Sequence, residues 1–174
     1  MALRTKTESK LRVRRAGIRQ WEGPLNGRGL RIGIVVSRFN NRLTRALAEA
    51  AIEELTAAGV APGDIEVAWV PGAFEIPLVL SRWAGSDRFD ALLALGVIIT
   101  GDTPHAGLIS TEVTRGVAEL SRRHGLPVLD GVVAVHTLEQ AQVRCEGSEH
   151  NRGRHAARAA VEMARLLARL EGDV

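Results

Sequence analysis

Cys145 is the only cysteine in the 174 residues, which removes an internal disulfide framework from consideration. Long apolar runs are also missing. Even the apolar stretch over residues 91–99 stops at Thr100, well short of the ~20 residues that cross a bilayer. The basic residues near the N-terminus are not followed by the apolar stretch of a secretory signal, so a cytoplasmic location and no membrane partner are expected. His124, His136, His150 and His155 show no ligand spacing, and no metal is expected. There is no internal repeat and no low-complexity stretch.

A hydrophobic content of 45% over this length suits one domain with a real core. The chain is basic overall, at +3, but unevenly so. Residues 1–15 carry Arg4, Lys6, Lys10, Arg12, Arg14 and Arg15 against Glu8, which leaves 17 basic and 19 acidic residues in the remainder. The basic character therefore belongs to an extension, assigned to residues 1–18 and expected to be disordered, ahead of a single domain over 19–174. Nucleic acid is not expected as a partner, because the folded part is slightly acidic.

From residue 30 onward, short β-rich runs alternate with helix-period segments, the rhythm of strands joined by crossover helices. The runs cover residues 30–37, 65–70, 91–99 and 127–135 and are nearly continuously apolar, as strands covered on both faces must be. Helical periodicity is expected over 42–58, 75–83, 105–123 and 151–170. The expected fold is a doubly wound α/β sandwich on a four-stranded parallel sheet. Ligands of such sheets bind beyond the carboxyl ends of the strands. That places attention on residues 37–41, 71–75, 100–105 and the region after Val135.

In Ser37-Arg38-Phe39-Asn40-Asn41, Phe39 either stacks on a flat heterocycle or plugs the top of the core, while Asn40 or Asn41 can cap a helix. In Pro71-Gly72-Ala73-Phe74-Glu75-Ile76-Pro77, Gly72 permits close backbone approach, and Glu75 either meets a ligand or complements a helix dipole. Gly101-Asp102-Thr103-Pro104-His105 turns into a helix and offers free N–H groups and the Thr103 hydroxyl to an anion. His105 carries an imidazole, a side chain suited to proton transfer, although a histidine at a helix start is also a common surface residue. Arg144 and the Asn151-Arg152-Gly153 turn supply guanidinium groups that can grip phosphate.

The order and spacing of these segments resemble the lumazine synthase (6,7-dimethyl-8-ribityllumazine synthase) family over nearly the whole chain, from Trp21 to Leu170. Residues carrying the resemblance include the two loops quoted first, Leu95-Gly96-Val97-Ile98-Ile99, Gly101-x-Thr103-x-His105, Glu139-Gln140-Ala141 with Arg144, and Asn151-Arg152-Gly153 with Glu162-Met163-Ala164. The resemblance implies a flavodoxin-like three-layer α/β/α sandwich and a role in riboflavin biosynthesis without an organic cofactor. The implied reaction condenses 5-amino-6-(D-ribitylamino)uracil with 3,4-dihydroxy-2-butanone 4-phosphate. It further implies that Phe39 and Asn40, then Ala73, Phe74 and Glu75, and the strand-end backbone of Val97, Ile98 and Ile99 meet the pyrimidine and ribityl chain. His105 would transfer protons; Asp102, Thr103, Arg144 and Arg152 would surround the phosphate, with Arg144 counted as catalytic beside His105. A homopentamer is implied, with sites between subunits, alone or built into decamers or 60-subunit shells; riboflavin synthase is a candidate protein partner.

The sequence departs from the family pattern at several points. Thr100 and Asp102 stand where the family has arginine and a small residue, Ala106-Gly107-Leu108 replaces an aromatic-acid-aromatic stretch, and Arg152 stands where a lysine is usual. At the end of the fourth strand Asp130 replaces a stacking phenylalanine, which makes a wall contributed by the neighbouring subunit acidic. These changes define the alternative reading, a shell or ligand-binding protein of the same fold with reduced or no turnover.

Overall fold

Four apolar runs become four strands: β1 (Ile32–Ser37), β2 (Ile65–Val70), β3 (Ala91–Ile99) and β4 (Val128–Val135). All pair in parallel, in the order β2-β1-β3-β4. This is a computed structural model that describes residues 18–101 and 104–172. The expectations for residues 1–17 of the basic extension, and for Asp102 and Thr103, therefore lie outside the described residues.

The strand alternation explains why these runs are apolar throughout. Ile32, Ile34 and Val36 of β1 enter one core cluster with Leu93, Leu95 and Val97 of β3. Val35 joins Leu92, Ala94 and Ile98 in the other. A strand with helices on both faces has no polar side to spare.

The helices are α1 (Asn41–Ala57), α2 (Ile76–Ala84), α3 (His105–His124), α4 (Leu138–Cys145) and α5 (Arg152–Glu171). Leu43, Leu47, Ala51 and Leu55 of α1 pack with Ala141 of α4 and with Ala157, Ala160 and Val161 of α5 on one face of the sheet. Ile76 and Leu80 of α2 and Val113, Val117 and Leu120 of α3 cover the other. The result is the expected three-layer α/β/α sandwich.

Two features go beyond the sequence reading. Residues 138–145 carry a motif by sequence but form a two-turn helix in the fold, started by Thr137, whose Oγ1 accepts from the Gln140 N–H at 3.2 Å. Gln140 Oε1 in turn accepts from the His136 N–H at 3.0 Å, so side chains satisfy these two N–H groups at the helix start. A short 3-10 turn, Ala73–Glu75, precedes α2 and displaces its expected start.

The Asn151-Arg152-Gly153 turn explains itself by packing. Asn151 is buried, its Oδ1 accepts from the Arg154 N–H at 3.2 Å, and its Nδ2 donates to the Cys145 carbonyl, joining the ends of α4 and α5. A Cβ on Gly153 would lie 2.1 Å from the Leu47 carbonyl oxygen, so only glycine lets α5 approach α1 this closely. Further along, the buried carboxylate of Glu54 on α1 accepts from Arg154 at 2.9 Å and from Arg158. Burial pushes this carboxyl up, but the hydrogen bonds and charges of the two arginines outweigh it and hold it below the usual range.

Candidate active site

Backbone register creates the site. The β1–β3 ladder ends at Val36↔Leu95, whereas β3 runs on to Ile99 and stays paired with β4 as far as Ile99↔Val135. Past Leu95, the edge of β3 that faces β1 is therefore no longer covered by a strand. Thr100 N–H points to Val135 of β4, so by strand alternation the N–H and C=O of Ile99 point to the open side. β1 is also where the chain switches direction across the sheet, and ligand crevices form at such switch points.

A cavity of about 610 Å³ opens there, lined by Phe39 after β1, by Ala73, Phe74 and Glu75 after β2, and by Val97, Ile98 and Ile99 of β3. His105, the first residue of α3, completes this wall. Eight residues proposed from sequence thus meet at one cavity. Of the four loops expected at the carboxyl edge, the three after β1, β2 and β3 line it, whereas the region after Val135 does not.

Phe39 is 70% exposed, so it does not plug the core. Its backbone holds it outward: Phe39 N–H donates to the Pro71 carbonyl and to Ser37 Oγ, both at 3.2 Å, and Arg38 N–H donates to the Val70 carbonyl at 2.8 Å. Phe74 is 60% exposed and Leu108 65%, so the cavity mouth has an apolar rim.

Glu75 turns back on its own loop. Its Oε2 accepts from the Gly72 N–H at 2.8 Å, and a Cβ on residue 72 would sit 2.9 Å from that oxygen. A side chain at residue 72 would therefore crowd the Glu75 carboxylate and press it to shift. Asn40 neither lines the cavity nor caps α1 with its side chain; its Nδ2 donates to the Val97 carbonyl at 3.0 Å.

Asp130, Arg144 and Arg152 do not reach this cavity within the chain. Asp130 is not at the end of the fourth strand: it is the third of eight residues in β4, opposite Ala94, because pairing with β3 continues for five residues beyond it. Its carboxylate is already engaged, accepting from Thr114 Oγ1 at 3.1 Å and from the Val132 N–H at 3.0 Å. The Arg152 guanidinium donates to the Asp130 carbonyl at 3.2 Å. Arg144 is exposed in the last turn of α4 and has no ion-pair partner among the described residues.

Sequence reasoning missed Glu112. It lines the cavity on the same face of α3 as His105 and Ile109, seven residues after the first and three after the second, and that periodicity was available in the predicted helix. Its ion pair with Arg115 at 3.3 Å joins two exposed groups and contributes little to stability. Cys145 lies elsewhere, buried under α5, and burial pushes its thiol up to about 12, which leaves it inert as a nucleophile.

The cavity thus holds one imidazole, two carboxylates, an aromatic face and an open strand edge, with no lysine or arginine among the described residues that line it. A doubly wound α/β fold with such a crevice at its switch point belongs to the class of proteins that bind small ligands at the carboxyl edge of a parallel sheet. Residues 29–168 match the model of the 6,7-dimethyl-8-ribityllumazine synthase family. The chain belongs to that family; it is a transferase of riboflavin biosynthesis.

Proposed function

We propose that the chain condenses 5-amino-6-(D-ribitylamino)uracil with 3,4-dihydroxy-2-butanone 4-phosphate, forming 6,7-dimethyl-8-ribityllumazine and releasing phosphate and water. The observation that carries this reading is the meeting of Phe39, Glu75, His105 and the open β3 edge around one cavity in a member of this family.

In this reading the pyrimidine ring lies against the exposed Phe39 face, with its polar edge on the backbone of β3 from Val97 to Ile99. Ala73, Phe74 and Glu75 meet the ribityl chain. The 5-amino group attacks the ketone, water leaves as the imine forms, phosphate is eliminated, and the second condensation closes the ring. His105 relays the protons these steps require, worth ~10²- to 10⁴-fold in rate, while most of the remaining acceleration comes from holding two reactive partners together.

The phosphate needs cations, and no lysine or arginine is among the described residues that line the cavity. Arg144 and Arg152 would provide them from a neighbouring copy, with Asp130 on the same surface, so that the site is completed between subunits of a homopentamer. The apolar rim formed by Phe74 and Leu108 supports burial by such a neighbour. Mixing the purified protein with both substrates and following the absorbance of the lumazine tests the reading. Product must form well above the uncatalysed rate; formation at that rate alone would favour the shell or binding-protein alternative, to which the engaged Asp130 carboxylate also points.

A further inference from the structure

We infer that Asn40 is a positioning residue, which seats the Phe39 ring against the open edge of β3 through its side-chain amide without itself touching the ligand. This rests on the reading of the cavity as a pyrimidine site.

Three observations meet here. Asn40 adopts a left-handed backbone, φ 58° and ψ 43°, one of two non-glycine residues with positive φ among those described. Asparagine tolerates this conformation better than most side chains. Although Asn40 is the N-cap residue of α1, its side chain leaves the helix and donates to the Val97 carbonyl at 3.0 Å, across 57 residues of sequence. Finally, the Phe39 ring is 70% exposed, so its direction is set by the backbone that carries it and not by packing around it.

That backbone is tied on both flanks. Ahead of the ring, the Arg38 and Phe39 N–H groups bind the carbonyls of Val70 and Pro71 at the end of β2. Behind it, the Asn40 side-chain amide ties the turn to β3. The amide does two things at once. It fixes the gap between the aromatic face and the strand edge, and it occupies one lone pair of the Val97 carbonyl beside the N–H and C=O that Ile99 offers to a polar ring. A ring that must stack on one element and pair with another binds well only if the two are held in register.

Two variants separate the amide from the turn. Asn40→Gly keeps the left-handed turn accessible and deletes the amide; Asn40→Asp keeps the turn and the volume, but an ionised carboxylate cannot donate to Val97. Full-length wild type and both variants are titrated with 5-amino-6-(D-ribitylamino)uracil in a calorimeter, and KM is measured for each substrate. Both variants are expected to bind the pyrimidine about tenfold more weakly and to raise its KM alike, with the KM of the sugar phosphate within about twofold of wild type. If Asn40→Gly fails to fold, Asn40→Asp carries the test. Wild-type constants in the variants would show that Asn40 serves only the turn and would overturn the inference. A parallel rise of both KM values would do the same, since that signals general loosening. A wild type that binds no pyrimidine overturns the site reading itself, and this inference with it.

Discussion

His105 begins a 20-residue helix and faces the cavity, so it needs no side chain from its own helix interior to be exposed to substrate. The residue two positions on, Gly107, brings no carboxylate to orient the imidazole. If His105 relays the protons as proposed, His105→Ala should lower kcat by ~10²- to 10⁴-fold while leaving the KM values within a few-fold, measured by steady-state lumazine formation. Arg144 is a different case. It stands exposed outside the cavity, and Arg144→Ala should chiefly raise the KM of the sugar phosphate, by about ten- to a hundredfold, because a lost phosphate contact weakens binding before it slows chemistry. An unchanged KM for that substrate would remove Arg144 from the phosphate site.

Among the secondary-structure elements, α1 and α5 make a close seam. Gly153 meets the Leu47 carbonyl with no room for a methyl group, and Asn151 holds the Cys145 carbonyl beneath it. Gly153→Ala should therefore destabilise the fold by about 3 kcal/mol through forced separation of the helices, and Asn151→Ala by about 1–2 kcal/mol through loss of the cap and a stranded buried carbonyl. Thermal melting would rank the two, and equal midpoints for Gly153→Ala and wild type would contradict the packing account. The Glu54 ion pairs on the same seam give it a pH dependence. The folded carboxyl is held below the ordinary 4.5, so its stabilisation is complete above that value and is lost as the pH falls through the lower folded value. Glu54→Gln should cost about 1–3 kcal/mol at neutral pH, discounted for the partial exposure of both arginines, and the gap to wild type should narrow in melts below about pH 4.

At the scale of the whole molecule, the acid–base group and the cations lie on different parts of one chain. If neighbouring copies join them, a pentamer mixed from His105→Ala and Arg144→Ala chains will contain some interfaces that carry both intact halves. Co-expression should restore activity to about a quarter of wild type, although each variant alone is poor. Activity that stays at the level of the separate variants would place the whole site in one chain and would contradict the shared arrangement.

Much of this was readable before folding. The four strands follow from two-sided burial, which demands continuous apolar runs, and the turns after β1, β2 and β3 follow from the rule that parallel sheets bind at their carboxyl edge. Phe39, Glu75 and His105 were visible as chemically capable residues at those turns. Tertiary structure alone decided the rest. Phe39 reads equally well as a core plug until its turn is seen tied outward to β2. Asn40 reads as a cap, yet its amide finds Val97 because β1 and β3 are neighbours in the sheet. Asp130 reads as a strand end, but it is paired opposite Ala94 in mid-sheet because β4 runs on alongside β3. Local pattern records which face of an element is apolar. Which distant groups come within hydrogen-bonding distance depends on register and on close approach, and those are properties of the packed chain.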